Sequence, residues 1–137
     1  MKTFITVILT LSLTKNVFAV VVNGNQASNL RTQLIEVGAE AQVLTDASFV
    51  NVKNVLCHQD GGFLLSPMKC EFVDENSGRL EEVMGKDAEK LNTSLKNAGA
   101  AVSFLRNGEL TLYKAKAKSI SCSTSAIPRL VSCELVK

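Results

Sequence analysis

Four cysteines, Cys57, Cys70, Cys122 and Cys133, are the residues whose type and spacing carry the clearest chemistry in this chain. They are spaced C-x12-C and C-x10-C, with no C-x-x-C pair and only one histidine, His58, to accompany them. Structural zinc gathers its ligands in tight pairs, so this set points to two disulfides instead. A Cys57–His58 nucleophile would need a free thiolate beside the imidazole, which a disulfide removes. The sequence shows no Ser-His-Asp set, no glycine-rich phosphate loop and no metal-ligand cluster, so no cofactor and no enzymatic activity are expected.

Three further groups can do chemistry. Lys114, Lys116 and Lys118 alternate with Tyr113, Ala115 and Ala117. On a strand this puts three ammonium groups on one face, a candidate patch for an anionic partner. The same pattern also describes a solvated outer face, or lysines guarding a sheet edge. Glu71 and Glu134 each follow the second cysteine of a pair and point opposite to it. They would serve as an acid–base pair only at about 5–10 Å across a cleft. Asp74 to Gly78, followed by Glu81 and Glu82, lacks the spacing of a calcium loop and is expected to be a polar linker. Asn92-Thr93-Ser94 is a lone glycosylation sequon on an expected helix.

The elements that position these residues follow from an internal echo. Shifting the chain by 61 residues lays Val22, Gly24, Ala27, Leu30, Thr32, Leu34, Gly38 and Ala39 on identical residues, ending at Gly99 and Ala100. These are eight identities in eighteen positions, where chance supplies about one or two. Further on, "KCEFV" at 69–73 is echoed by "SCELV" at 132–136. The expected fold is therefore α+β: two tandem α-β-β(-β) repeats, with helices packed on antiparallel sheet. The first repeat spans 20–78 and the second 79–137, the two packed as one compact domain.

Each repeat is expected to open with a short amphipathic helix. Ala27, Leu30 and Leu34, with Ile35 beside them, form the first apolar stripe. Ala88, Leu91, Leu95 and Ala98 form the second, with Asp87 as N-cap and Glu89, Lys90, Asn92 and Lys96 in solvent. Gly38 and Gly99 end the two helices. Strands at 48–58 and 66–73 are expected around a turn at Asp60-Gly61-Gly62, and strands at 109–123 and 130–136 around a bend at 126–129. Val43-Leu44 and 102–105 add a short strand to each. Each outgoing strand holds one cysteine and each returning strand the other, so Cys57–Cys70 and Cys122–Cys133 are the preferred pairs. A core of about 60 residues is marginal alone, so one staple per repeat has a physical purpose. The apolar parity of each outgoing strand slips near Asn54 and Ser119, which predicts a bulge or kink at both.

Residues 1–19 have the n-, h- and c-regions of a secretory signal peptide. Without Lys2 and Lys15 the remainder carries 13 Lys and Arg against 13 Asp and Glu, which argues against a nucleic-acid partner. No later stretch has the composition of a transmembrane anchor. The expected setting is periplasmic or extracellular. In architecture alone the expected arrangement resembles the β-lactamase inhibitory proteins, which are secreted tandem αβ repeats with a hairpin disulfide in each unit. That resemblance implies inhibition of a protein partner as one option and transfers no functional residue. The expected function is a non-enzymatic binding module for a protein partner. The alternatives are a small-molecule or lipid carrier, with its cavity between helices and sheet, and a small envelope hydrolase. With no Trp and one Tyr, a large aromatic hot-spot interface is not expected.

Overall fold

The computed structural model describes residues 19–61, 66–107, 110–125 and 129–137. The signal segment, apart from Ala19, lies outside the described residues, as do Gly62 of the first expected turn and residues 126–128 of the second. Among the described residues ten elements follow in order: β1 (Ala19–Asn23), α1 (Asn25–Glu36), β2 (Gln42–Leu44), β3 (Ala47–Gly61), β4 (Lys69–Asp74), β5 (Leu80–Met84), α2 (Lys86–Asn97), β6 (Ala101–Asn107), β7 (Leu110–Ser125) and β8 (Val131–Val136). The fold is α+β, two helices on an eight-stranded antiparallel sheet.

Two long strands form the middle of the sheet. β3 and β7 pair antiparallel from Ala47↔Ser125 to Gly61↔Thr111. Around them the order is β1-β8-β7-β3-β4-β5, with β2 pairing the start of β3 and β6 pairing the start of β7. The first and last strands, β1 and β8, therefore pair at one edge, and β5 beside β4 forms the other.

Both helices cover one face of this sheet and touch each other. Leu30 and Leu34 of α1 and Leu91 and Leu95 of α2 are fully buried in a single core with Val50, Val52, Val55, Phe72, Ile120 and Leu135. Burying each such side chain contributes about 1.5–3 kcal/mol. This is how helices of only 12 residues, marginal in isolation, are held. Ile35 lies off the stripe and is exposed.

The disulfides are Cys57–Cys70, across β3 and β4, and Cys122–Cys133, across β7 and β8. In both cases the two cysteines are register partners in the ladder. Each disulfide packs under a helix: Cys70 Sγ lies 3.3 Å from the Ala88 carbonyl oxygen and Cys133 Sγ 3.4 Å from that of Ala27. A disulfide sulfur has no proton to donate, so these are packing contacts, and alanine is small enough to allow the approach. Two disulfides point to an oxidising setting. Among the described residues no helix is long and apolar enough to cross a membrane.

Both helices end as the leucine stripes require. Ala39 N–H donates to Leu34 C=O and Gly38 N–H to Ile35 C=O, and Ala100 and Gly99 repeat the pattern on Leu95 and Lys96. This is the Schellman arrangement, which needs a left-handed residue after the cap. Gly38 supplies it at φ +120°, where an added Cβ would also meet the Glu81 carboxylate at 2.8 Å. Replacing Gly38 by Ala is expected to cost about 1–2 kcal/mol, because Glu81 can swing away but the backbone strain stays. A urea titration that left the midpoint unchanged would contradict this.

Several expectations need correction. Each helix is preceded by a strand, β1 or β5, that the sequence pattern did not announce. The 74–82 segment is no linker, because a turn at 75–77 leads directly into β5, paired along β4. Asp60 and Gly61 continue β3 instead of turning. Asp87 sits inside the first turn of α2, and Gly85 occupies the N-cap. Asn92 is buried at 8% exposure, because it sits beside Leu91 on the side of α2 that faces the rest of the molecule. A sequon asparagine in that position is not presented to solvent.

The parity slip is real on both central strands. In β3 the register against β4 shifts between Lys53 and Leu56, and Asn54 takes φ 55°. The extra residue turns Val55 and Cys57 to the same face as Val50 and Val52. In β7 the buried set passes from Ala115 and Ala117 to Ile120 and Cys122 across two outward residues, Lys118 and Ser119. There the neighbour of β7 changes from β6 to β8, and no ladder shift accompanies the change. The second site is thus a kink, with a bulge only at the first.

Candidate functional site

The face of the sheet opposite the helices carries the predicted lysines. Ala115 and Ala117 face the core, which turns Lys114, Lys116 and Lys118 outward on β7. β7 is a central strand, flanked by β3 on one side and by β6 and β8 on the other. The lysines therefore do not guard an edge. Register places Lys114 beside His58 and Lys116 beside Leu56 on β3, and Glu71 of β4 lies next in the Leu56 row. Lys118 stands at the height of the Asn54 bulge.

At this bulge the face is hollowed. A depression of about 350 Å³ is lined by Asn54, Leu56, Glu71, Lys116, Lys118 and Lys137. Two backbone features make it: β3 bends at Asn54, and opposite it β7 leaves β6 before β8 begins. On the same face Lys69 pairs with Glu82 at 3.6 Å, and His58 Nδ1 lies 3.9 Å from Asp60. Lys114, Lys116 and Lys118 make no ion pair with any described residue. Their ammonium groups are thus available to a partner without first giving up an internal one.

The other candidates are not brought together. Cys57 is held in its disulfide, so His58 has no thiolate beside it. Glu71 lies on β4 and Glu134 on β8, three strand spacings apart, so the sideways separation alone is about 14 Å at the usual spacing. That separation is too wide for a carboxylate pair. In the 74–78 segment Asp74 Oδ2 accepts hydrogen bonds from Ser77 N–H at 3.2 Å and Ser77 Oγ at 2.8 Å. Asp74 is fully buried and holds the turn. Among the described residues no three His, Cys, Asp or Glu side chains gather as a metal site.

Sequence reasoning missed Asn54, Glu71 and Lys137 as companions of the lysines. Only the bulge carried a sequence signal, in the parity slip. No family model matches the chain, and neither the curated proteins nor the solved structures contain a significant match to it.

Proposed function

We propose that this chain is an exported, non-enzymatic binding module whose helix-free sheet face takes an acidic surface of a protein partner. The observation that carries the reading is the placement of Lys114, Lys116 and Lys118. They are outward on a central strand, without internal ion partners, beside the hollow at Asn54. A rigid sheet holds their spacing, so less ordering is needed on binding than for lysines on a loop. Unpaired charge of one sign on a fixed surface also speeds encounter with an oppositely charged one. Inhibition of that partner is one form such binding would take. The signal-like residues 1–19 and the two disulfides support export to the periplasm or beyond.

The two-repeat reading belongs to the same proposal. It is supported by the order strand, helix, short strand, long strand, closing strand running through the chain twice. The central register supports it too, since Val50↔Cys122 is matched by Cys57↔Ala115 at the 65-residue offset that relates Cys57 to Cys122. The carrier alternative would place its cavity between helices and sheet, and the fully buried side chains of Leu30, Leu34, Leu91, Leu95 and Phe72 occupy that space.

The test is binding to a defined acidic probe, a fluorescent hexaglutamate peptide, at two salt concentrations. The wild-type chain is expected to bind it weakly and to lose that binding as salt rises. The K114Q/K116Q/K118Q variant is expected to lose about tenfold in affinity, given some 0.5 kcal/mol for each exposed charge pair. Equal binding by variant and wild type would remove the lysine face from the account.

A further inference from the structure

A second polar site lies at the far end of the central strand pair, away from the lysine hollow. Thr45 and Asp46 form the two-residue loop between β2 and β3, and Ser48 on β3 is the register partner of Thr124 on β7. Arg31 reaches this place from α1, and Arg129 from the segment before β8. Together they line a depression of about 370 Å³.

The polar groups here are incompletely satisfied. One terminal nitrogen of Arg31 donates to Ser48 Oγ at 3.1 Å. Its Nε is shielded from solvent and has no hydrogen-bond partner, and the hydroxyl of Thr124 is in the same condition. Leaving a buried donor on a charged group without an acceptor is costly. Arg129 is exposed and makes no ion pair with a described residue. Thr45 takes φ 38°, unusual for a β-branched residue, and its loop forms part of the wall.

We infer that this depression is a binding site for a phosphate group, as inorganic phosphate or as the monoester of a small molecule. The donor inventory decides between oxyanions. The Arg31 and Arg129 forks and the hydroxyls of Thr45 and Ser48, all on residues of the wall, offer about six N–H and O–H donors. A carboxylate has about four lone-pair sites on two oxygens, whereas a phosphate monoester presents three strong acceptor oxygens. Guanidinium groups suit those oxygens because their N–H groups point in a fixed fork. Asp46, the one acid on the wall, opposes the anion. It therefore sets affinity and gives the site a distinctive signature.

The experiment is titration of the disulfide-bonded chain with inorganic phosphate at constant ionic strength, followed by amide NMR shifts. Glycerol 3-phosphate and acetate are run in parallel. Saturable shifts at Ser48 and Thr124 are expected, with acetate weaker than either phosphate probe. Tighter binding of glycerol 3-phosphate than of phosphate would identify a monoester ligand, and the reverse would identify free phosphate. Arg129→Gln changes an exposed side chain and is expected to weaken binding about tenfold. Arg31→Gln is expected to do the same, while Asp46→Asn is expected to tighten it. K116Q/K118Q should leave it unchanged, which separates this site from the lysine face. Absence of saturable shifts would overturn the assignment. So would acetate binding as tightly as phosphate, unchanged binding in Arg129→Gln, or weaker binding in Asp46→Asn.

Discussion

Removing both disulfides is expected to unfold the chain at ambient temperature. Cys57–Cys70 closes a loop at a sequence separation of 13 and Cys122–Cys133 one at 11. Closing a loop of that size constrains the unfolded chain by about 3 kcal/mol, so the two together supply about 6 kcal/mol. Domains of this size are typically stable by only about 5–15 kcal/mol. The buried sulfurs also fill space beneath Ala27 and Ala88, so a serine at these positions would add an unsatisfied hydroxyl to the core. Circular dichroism of the C57A/C70A/C122A/C133A variant should show no cooperative thermal transition, and each paired double variant should melt well below wild type. A quadruple variant melting within a few degrees of wild type would mean that the core alone carries the fold.

Deleting Asn54 is expected to be nearly as damaging, although the residue is exposed. It supplies the extra position that lets Val50 and Val52 share a face with Val55 and Cys57. Side chains alternate along a strand, so losing one residue sends one of these two sets out to solvent. Exposing Val50 and Val52 alone would cost about 3–6 kcal/mol. By contrast, Asn54→Gly keeps the extra residue and accepts the positive φ, so it should be close to neutral. The contrast is the test: urea midpoints should fall sharply for the deletion and barely move for glycine. Similar midpoints for the two would mean that the bulge does not set the face of the strand.

What the sequence made legible followed physical strength of signal. The Leu30–Leu34 and Leu91–Leu95 stripes announced two helices because their burial is periodic. The cysteine pairs were legible because each pair has one member on an outgoing strand and one on the returning strand, and the Asn54 bulge because parity slipped between Val52 and Val55. β1 and β5 left no such trace. They are edge strands, and in β5 only Val83 packs against the core, while Leu80 and Met84 are exposed. Such strands form largely through backbone hydrogen bonds, which any residue but proline supplies. The run "LEEVM" therefore looked like part of a polar linker. Asn92 was misplaced for a related reason, since a polar residue next to a stripe looks solvated until the packing is known. Three lysines in alternation gave the lysine face. Its hollow depends on where β6 stops and β8 begins, which no local pattern encodes. The second site is more distributed still: Arg31, Ser48, Thr124 and Arg129 meet only through the β3–β7 register and the placement of α1.

The central claim is that the helix-free lysine face is the binding surface, and residue-level mapping tests it most directly. Amide NMR of the disulfide-bonded chain titrated with hexaglutamate should show saturable shifts centred on Lys114, Lys116, Lys118 and Asn54, with α1 and α2 silent. Shifts confined to the helices or the sheet edges, or none at low salt, would contradict it.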